Sequence, residues 1–425
     1  MTIGEIIGAF AAGEPPLRIE AYDGSSIGPE NSDLVLRLKS EKALQYFVTA
    51  PGDLGLARAY LMGELEMDGV HPGAPHDVFG ALEVFRKHMT RTPDARTLAR
   101  IARAVGTENI RFLPTPPMEV KPAWKRVVSG MRRHSKERDS EVVSYHYDVS
   151  NRFYEWILGE SMTYTCACYT APDTSLEEAQ ENKYRLIFEK LALQPGDRLL
   201  DIGCGWGGMV RYAARRGVHA LGVTLSTEQA QWAQQTIVEQ GLGEYAEVRH
   251  SDYRDVAEGG FDAVSSIGLT EHIGVANYPS YFEFMRDKLR PGGLLLNHCI
   301  TRPVNSARSK AGPFIDRYVF PDGELTGVGT IITAAQNIGG LEVLHEENLR
   351  EHYAMTLRDW NKNLADNWDA AVAEVGEGTA RQWGLYMAGC RMGFEMEMVE
   401  LHHVLAVKTD DDSRPNTPLR PWWTP

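Results

Sequence analysis

The sequence predicts a doubly wound α/β domain behind a small N-terminal α+β domain, and two observations carry that prediction. First, the apolar run Arg198–Ile202 has the length of a buried strand, ends in glycines and is followed by a helical pattern over 208–216. Second, the alternation repeats at once, with a strand at 219–225 and a helix at 226–240 that a serine opens. Such alternation is typical of a mostly parallel sheet with helices on both faces.

Residues 1–115 are predicted to form the small α+β domain. Short alternating stretches at 33–38 and 43–49 indicate strands, and the pattern over 76–88 indicates a helix. Glycine and proline interrupt these stretches, and we find no catalytic motif among them. We therefore expect this domain to serve lipid binding or other interactions rather than chemistry.

A basic linker is predicted at 116–140. The proline-rich segment 112–117 cannot continue regular structure, because proline lacks an N–H group. Between 121 and 138, seven lysines and arginines stand against a single acid, Glu137. Such a run is either a solvated linker helix or a patch for phospholipid headgroups, where each basic residue contributes on the order of 1 kcal/mol near an anionic surface.

The α/β domain is predicted to extend over 141–410. Its further strands are expected at 246–250, 261–267 and 294–300, with late strands near 341–345 and 404–408. The interval 302–340 is too long for a simple loop and is predicted to be an insertion over the site. The acidic and then proline-rich segment 411–425 is predicted to be a flexible tail.

Composition and charge exclude several classes of protein. The chain has 425 residues, 43% hydrophobic and 24% charged, which excludes disordered, collagenous and coiled-coil proteins. The formal net charge of −14 disfavours general binding to nucleic acid. Five scattered cysteines do not make a disulfide framework, and no motif with the spacing of a metal site is found. With no basic leader and no apolar run of membrane-spanning length, we expect a cytoplasmic protein.

A glycine-rich turn after the first strand of the α/β domain is the most informative motif. Gly203, Gly205 and Gly207 lie at the carboxyl end of that strand, where open α/β sheets bind their ligands. Glycines there let a ligand approach the backbone, but they suit dinucleotides and S-adenosylmethionine (SAM) alike. Asp201, just before the turn, favours SAM, because a carboxylate suits an amino group and a sulfonium and is badly placed for a pyrophosphate.

The end of the second strand carries no acidic residue. NAD sites usually place an acid there to bind the ribose, and most SAM enzymes have one as well. The sequence here is Gly222-Val-Thr-Leu-Ser226, which leaves Thr224 and Gln229 as candidates for polar contacts to the nucleoside. The missing acid disfavours an NAD-dependent oxidoreductase.

Two further polar residues follow strands that are predicted to end at the same edge of the sheet. Glu271 comes just after the fourth strand and His298 lies at the end of the fifth. Since these strand ends converge on one crevice, both side chains can meet Asp201 there. Structural roles stay open, because a histidine at a strand end often only forms a hydrogen bond and Glu271 can be a first-turn acid of a helix.

Eight motifs in order resemble the cyclopropane fatty acid synthase family, which includes the mycolic acid and fatty acyl methyltransferases. They lie at 146–154, 162–167, 200–207, 222–226, 266–272, 318–323, 352–357 and 386–390. The segment 57–64 also resembles the N-terminal extension of members that act on intact phospholipid. The resemblance implies a class I SAM-dependent methyltransferase with a Rossmann-like sheet.

The resemblance also implies which residues bind and react. The SAM ligands would be Tyr164, Thr165, Asp201, Gly203, Gly205, Gly207, Thr224, Leu225, Gln229 and Tyr253. A bicarbonate ion would be held by backbone groups of Cys166 and Ile300 and by the side chains of Glu271, His298 and Tyr353. Cys390 matches a cysteine described as the active-site residue of the family, although this chemistry requires no nucleophile. No metal is implied.

The implied reaction transfers a methyl carbon from SAM to the cis double bond of an unsaturated phospholipid acyl chain. The carbocation left on the chain would lose a proton to bicarbonate and close to a cyclopropane. A shifted charge would instead give a methylene, which a separate reductase would convert to a methyl branch. We expect peripheral contact with the inner face of the membrane and a homo-oligomer. The alternatives are a small-molecule O- or N-methyltransferase and a non-catalytic lipid-binding or scaffolding protein.

Overall fold

The computed structural model describes residues 1–50, 52–68, 70, 78–89, 91–106, 112–119, 150–304, 309–310, 313–319, 323–337 and 340–424. The chain divides into two units. The N-terminal unit comprises Met1–Lys121, Gly312–Val319 and Trp360–Met392, and the C-terminal unit comprises Pro122–Ala311, Phe320–Asp359 and Gly393–Pro425. The sequence places the two later segments of the N-terminal unit in the α/β domain, so the structure draws this boundary differently. The predicted basic run at 121–138 lies outside the described residues.

A four-stranded sheet organises the N-terminal unit. Its strands are β1 (Arg18–Ala21), β2 (Ser26–Ile27), β3 (Val35–Leu38) and β4 (Leu65–Asp68). They lie in the order β2-β1-β3-β4, with β1 and β3 parallel and the other pairs antiparallel. The helices are α1 (Ile3–Gly8), α2 (Glu41–Thr49), α3 (Asp53–Leu61), α4 (Val78–His88), α5 (Ala95–Val105), α12 (Pro313–Tyr318), α15 (Trp368–Val375) and most of α16 (Glu377–Glu395).

The predicted strand at 43–49 is wrong, because these residues lie in helix α2. The hydroxyl of Ser40 caps the helix by accepting a backbone hydrogen bond at 3.2 Å, and Glu41 suits the positive end of the helix dipole. Ala43 and Tyr46 are both buried, and their separation of three residues is the spacing of one helix face. The cap outweighs the short stretch of alternating apolar residues.

A buried carboxylate ties α12 into the N-terminal unit. Glu119 is almost fully buried and pairs with Arg58 at 2.6 Å and with Arg317 of α12 at 3.2 Å. A buried charge is tolerated only with such partners, because its desolvation is costly. The predicted insertion at 302–340 is thus divided, since its segment 313–319 belongs to this unit.

The predicted doubly wound α/β sheet is confirmed in the C-terminal unit. Its strands are β5 (Arg198–Ile202), β6 (His219–Thr224), β7 (Ala246–His250), β8 (Phe261–Ile267), β9 (Leu289–Thr301), β12 (Glu342–Asn348) and β13 (Glu400–Val407). They lie in the order β12-β13-β9-β8-β5-β6-β7. The strands β5 to β9 run parallel, whereas β13 is antiparallel to both of its neighbours. A separate two-stranded antiparallel sheet is formed by β10 (Ser309–Lys310) and β11 (Glu324–Leu325).

Helices cover both faces of this sheet and create two apolar cores. They are α6 (Asn151–Leu158), α7 (Leu176–Lys190), α8 (Gly208–Ala214), α9 (Thr227–Glu239), α10 (Thr270–Ile273), α11 (Tyr278–Lys288), α13 (Val328–Asn337) and the first part of α14 (Arg350–Asp366). On one face α7, α8 and α9 pack against side chains such as Leu199 and Leu405. On the other face α11 and α13 pack against Leu200 and Val404. No helix in the described ranges is long and apolar enough to cross a membrane.

Trp422 and Trp423 are packed, whereas the sequence predicts a flexible tail over the whole of 411–425, of which residues 411–420 are mostly exposed. The Trp422 ring nitrogen donates a hydrogen bond to the Glu189 carbonyl at 2.8 Å. Trp422 and Trp423 also pack against the core that α7 covers, and the Trp423 ring lies 5.6 Å from Nζ of Lys190. Tryptophan side chains bury large apolar areas, which accounts for this docking.

Gly208 opens α8 at a point where the helix closely approaches α7. A Cβ atom there would lie 1.9 Å from the hydroxyl oxygen of Tyr184, so the tyrosine would have to move. We expect Gly208→Ala to lower the free energy of unfolding by about 1–3 kcal/mol, the usual cost of overpacking, which a thermal melt would detect. Gly243→Ala is the matched control, because a Cβ at Gly243 has no neighbour within 4 Å. Equal melting temperatures for the two variants would contradict this packing.

Candidate active site

The glycine turn after β5 lies against the end of β6. The N–H groups of Gly203 and Cys204 both donate to the Val223 carbonyl, at 2.9 and 3.0 Å. Gly203 has a φ of +73° and Gly207 of +74°, a conformation that favours glycine. A Cβ on Gly205 would meet nothing within 4 Å, so the middle of the turn is open to a ligand.

Asp201 is a buried carboxylate at the start of this turn. It accepts a hydrogen bond from the Ser265 hydroxyl at 2.6 Å. Burial raises its pKa to about 6, and the hydrogen bond and the nearby Lys183 oppose that shift. A carboxylate in this setting can accept further hydrogen bonds from an amino group of a ligand, as the sequence predicts.

Lys183 is a functional candidate that the sequence analysis missed. It lies on α7, is completely buried, and donates a hydrogen bond to the Thr165 hydroxyl at 2.8 Å. Burial lowers its pKa to about 7, while Cys168, Cys166 and Asp201 act in the opposite direction. The sequence does contain a sign that Lys183 is buried. Lys183 lies on the same helix face as the apolar residues Ala179 and Ile187, at helical spacing from each.

The polar residues at the end of β6 bind one another. The Thr224 hydroxyl donates to Oε1 of Gln229 at 2.7 Å, and both side chains are buried. The backbone N–H of Gln229 in turn donates to the Ser226 hydroxyl at 3.2 Å. The half-buried Leu225 lies between them, and its carbonyl accepts a hydrogen bond from the His250 ring at 3.1 Å. The structure therefore groups the predicted nucleoside contacts Thr224, Leu225 and Gln229.

Aromatic packing positions the two tyrosines predicted to bind SAM. The Tyr164 ring lies edge-on to Tyr154, with the ring centroids 6.0 Å apart. Tyr253 begins a 3₁₀ turn after β7 and lies edge-on to Tyr281 at 5.6 Å. Both rings are only half-buried, so each keeps a surface that a ligand can contact.

Glu271 is a first-turn acid of a helix, which is one of the two roles that the sequence left open. It lies in the first turn of α10, and its Oε1 accepts a hydrogen bond from the Ile300 N–H at 2.6 Å. Its Oε2 is buried and forms no hydrogen bond. Burial raises the pKa of Glu271 to about 7, so near neutral pH the carboxyl group is partly protonated. Because the Ile300 N–H is already used, Ile300 holds Glu271 in place through that group.

One ring nitrogen of His298 is hydrogen-bonded and the other is not. Its Nδ1 lies 2.8 Å from Nε2 of His403, which stands directly opposite it in the β9–β13 pair. Its Nε2 is buried and forms no hydrogen bond. Burial, with the charges of Lys183 and Lys190, holds the pKa of His298 well below its usual range, so the ring is neutral.

A chain of contacts links Cys166 and Tyr353 to Ile300. The Cys166 thiol lies 3.8 Å from the Leu349 carbonyl, and the Leu349 N–H donates to the Leu401 carbonyl at 2.8 Å. Leu401 pairs with Ile300 across β13 and β9. The buried Tyr353 lies one helical turn beyond Leu349. Through the Glu271–Ile300 hydrogen bond and strand β9, the segments that carry the five residues predicted to hold an ion therefore form one connected group.

Cys390 is the remaining candidate that the resemblance implies. It lies on α16 in the stretch that belongs to the N-terminal unit. Desolvation raises the pKa of its thiol to about 12, which disfavours the thiolate form that a nucleophilic cysteine needs. In the described ranges of the chain, no cluster of three or more His, Cys, Asp or Glu side chains is arranged to hold a metal ion.

Comparison with known proteins shows the family of the chain. A model of the family described as mycolic acid cyclopropane synthetase matches residues 134–404. A probable fatty acid methyltransferase of Mycobacterium tuberculosis is 59% identical over 100% of this chain and 99% of its own. The cyclopropane-fatty-acyl-phospholipid synthase of Escherichia coli K12 is 35% identical over 64% of this chain and 69% of its own. The crystal structure of mycolic acid cyclopropane synthase CmaA1 with SAH and CTAB is 30% identical, has a TM-score of 0.58, and covers 63% of this chain and 97% of that one.

The raised pKa of Glu271 predicts a pH-dependent stability difference. Its folded pKa of about 7 lies above the ordinary value of 4.5, so its stabilising contribution is complete below pH 4.5 and is lost as pH rises through 7. The free energy of unfolding falls by a few kcal/mol over this pH range, because a pKa difference of one unit corresponds to about 1.4 kcal/mol. We therefore expect Glu271→Gln to melt several degrees higher relative to the unchanged protein at pH 8 than at pH 5.

The control is Glu239→Gln, because Glu239 is exposed at the end of α9. Its melting temperature relative to the unchanged protein should stay constant between pH 5 and pH 8. A constant difference for Glu271→Gln as well would show that Glu271 titrates like an exposed carboxyl group.

Proposed function

Because the chain belongs to the mycolic acid cyclopropane synthetase family, we propose that it converts the cis double bond of an unsaturated phospholipid acyl chain to a cyclopropane. It is a SAM-dependent methyltransferase of the kind that modifies lipid acyl chains. The phospholipid, the ring product and the participation of bicarbonate are the parts that we propose.

The observation that carries the proposal is a pair of buried polar atoms that form no hydrogen bond, Oε2 of Glu271 and Nε2 of His298. A buried polar atom left unpaired costs about 1–3 kcal/mol, so two of them in one connected group indicate a site built for a ligand. A neutral imidazole and a partly protonated carboxyl group suit a small oxyanion. An ordinary O- or N-methyltransferase has no need of such a group.

The glycine turn and its neighbours fit SAM. The open middle of the turn at Gly205 admits a ligand to the backbone, and the buried Asp201 offers acceptors to an amino group. Lys183 fixes the Thr165 hydroxyl, which holds the segment that carries Tyr164 and Cys166. When bound, SAM supplies an electrophilic methyl group. These side chains orient that group and exclude water, and orientation of this kind accounts for much of the rate of a bimolecular reaction.

The group around Glu271 fits bicarbonate. His298, Glu271 and Tyr353 would hold it, with Cys166 and Ile300 beside them, and when bound it would supply a base for the proton that the alkylated acyl chain must lose. Glu271 is itself fixed by the Ile300 N–H, so its free oxygen keeps one direction. Such preorganised groups do not have to reorient during the reaction.

Open-chain methylation is the second candidate. The M. tuberculosis relative that aligns with the whole chain is named a probable fatty acid methyltransferase, and its name does not mention a cyclopropane. Both products arise from the same carbocation, and the position of proton loss decides between them. A methylene product would need a separate reductase to become a methyl branch.

Helix α5 supports peripheral contact with an anionic membrane. Arg96, Arg100 and Arg103 are all exposed and lie on one face of the helix, at i, i+4 and i+7. Leu98 is 44% exposed on the neighbouring surface. A basic helix with an exposed apolar residue is suited to the interface of anionic lipids. We propose that it acts together with the basic run at 121–138 on the inner face of the membrane, in a cytoplasmic homo-oligomer.

Reversing the charge of these arginines should weaken membrane binding. We expect Arg96, Arg100 and Arg103→Glu to bind liposomes with anionic headgroups at least tenfold less tightly, since each arginine contributes about 1 kcal/mol near such a surface. Sedimentation at two salt concentrations would measure this, and the difference should fade at high salt. The matched control changes three exposed arginines elsewhere, Arg215, Arg414 and Arg420, by the same charge. Equal loss in both triple variants would mean that net charge alone is responsible.

The function is tested by mass spectrometry of fatty acids. The protein would be incubated with SAM and liposomes of a cis-monounsaturated phospholipid, with and without added bicarbonate, and the esters then hydrolysed. We expect a gain of one CH₂, with chromatographic retention and resistance to hydrogenation typical of a ring. A product that hydrogenation converts to a methyl branch would establish the second candidate. No mass gain, with SAM still bound, would overturn both and favour a small-molecule substrate.

Glu271→Gln and His298→Ala should separate chemistry from cofactor binding. We expect each to lower turnover about 100-fold or more, the scale of a lost acid–base contribution, while the SAM dissociation constant measured by calorimetry changes little. If SAM binding weakens in parallel with turnover, the two residues belong to the cofactor site and not to the reaction.

A further inference from the structure

The unusual feature behind the candidate site is a buried row of side chains that ends at His298. The Nδ1 of His298 lies 2.8 Å from Nε2 of His403, and Nδ1 of His403 lies 3.2 Å from Nζ of Lys190. Lys190 also forms an ion pair with Glu347. The lysine and both imidazoles are buried, whereas the Glu347 side chain is 29% exposed.

Each member of the row is placed by regular structure. His298 and His403 are partners across β9 and β13, and Glu347 is the partner of His403 across β12 and β13. Lys190 is the last residue of α7, which covers this face of the sheet. The Trp423 ring lies 5.6 Å from its Nζ. Apart from the Trp423 contact, these contacts join residues of strands and helices.

The ion pair of Lys190 with Glu347 assigns the donors and acceptors along this row. Lys190, paired with a carboxylate, is an ammonium and has only donors, so Nδ1 of His403 must accept. Burial and the lysine charge hold the pKa of His403 well below its usual range, so its ring is neutral and carries its one proton on Nε2. That N–H donates to Nδ1 of His298. The neutral His298 therefore carries its own proton on Nε2, the nitrogen that forms no hydrogen bond.

We propose that Lys190 and His403 are positioning residues that hold His298 as the Nε2–H tautomer, so that it offers the site a hydrogen-bond donor and not a base. That an oxyanion accepts the hydrogen bond from Nε2–H of His298 rests on the proposed function. The assignment of the tautomer does not depend on that function. With His298 committed as a donor, the proton lost by the acyl chain has to be taken by a different group. An outer partner that sets the tautomer of a functional histidine is a recurring device in protein sites.

The chain offers a matched control on the opposite face of the same strands. His402, next to His403, contacts the Thr301 hydroxyl at 2.7 Å through Nδ1 and Glu346 at 3.2 Å through Nε2. His402 and Glu346 thus repeat the residue types of the row one position away. Neither reaches His298, because neighbouring residues of a strand point to opposite faces.

The test is a tautomer measurement on the full chain. The chain has 13 histidines, and with ¹³C,¹⁵N-labelled histidine the ¹³Cδ2 chemical shift distinguishes Nε2–H from Nδ1–H rings. The His298 signal would be assigned by its loss in His298→Gln. We expect Nε2–H for His298 in the protein without lipid or bicarbonate. An Nδ1–H signal would overturn the proposal even if no variant were made.

Variants then show whether Lys190 sets this state. Lys190→Met removes the ammonium with little change in length, and we expect the His298 signal to shift toward the other tautomer or to split. Turnover should fall about tenfold or more, the usual effect of losing an outer partner, with SAM affinity unchanged. Glu346→Gln, the matched control, should alter neither the His298 signal nor turnover. An unchanged His298 signal in a folded Lys190→Met variant would overturn the role of Lys190.

The failure of this proposal is distinguishable from the failure of the proposed function. If no lipid product forms but His298 is an Nε2–H ring that responds to Lys190→Met, the assignment of the positioning residues holds and the substrate is wrong. If the lipid product forms while His298 is an Nδ1–H ring, the substrate is right and the positioning role is wrong. Should Lys190→Met not fold, Glu347→Gln weakens the same ion pair with a smaller change in volume.

Discussion

The antiparallel pairing of β13 with β9 is the constraint on which the candidate site depends. The strand lies between β9 and β12, and its register sets His403 opposite His298 and Leu401 opposite Ile300. Through Leu401 it also anchors Leu349, from which α14 and Tyr353 follow. A slip of one residue would turn His403 to the other face of the sheet and set His402 or Val404 opposite His298 in its place. The arrangement of these residues is therefore a property of strand pairing as much as of their own side chains.

The site also concentrates groups that a stable core would avoid. Glu271 and His298 each keep one buried atom without a hydrogen bond, and Lys183 and Asp201 are buried with their pKa values moved toward neutrality. Burial of this kind opposes folding, and the apolar cores on the two faces of the sheet offset it. Fixed polar groups in a dry environment need no reorganisation when charge develops on a substrate, which is what such an arrangement contributes to catalysis.

The sequence predicted the parts of the molecule that depend on local pattern. The seven strands of the α/β sheet are present, and the family that the eight motifs indicate is confirmed by the comparisons. The errors arose where a tertiary contact decides. Residues 43–49 form a helix that a serine caps. Segment 313–319 belongs to the N-terminal unit, where Arg317 forms an ion pair with Glu119. At the end of the tail, Trp422 is held by packing and by a hydrogen bond. Lys183 and Lys190 were missed although Ala179 and Ile187 mark the same helix face at helical spacing, because a fully buried lysine is uncommon.

The position of β13 in the sheet has a consequence for how the protein is made. The parallel half of the sheet, with its glycine turn, can fold once β9 has left the ribosome, but the free edge of β9 then waits for a strand that is synthesised much later. At about 5–20 residues per second, the segment between Thr301 and Glu400 takes roughly 5 to 20 s to appear. During that interval the unpaired edge offers its backbone groups to other nascent chains. The glycine turn and its strands are thus synthesised well before the strand that completes their sheet, and the unpaired edge of β9 is where aggregation threatens in that interval.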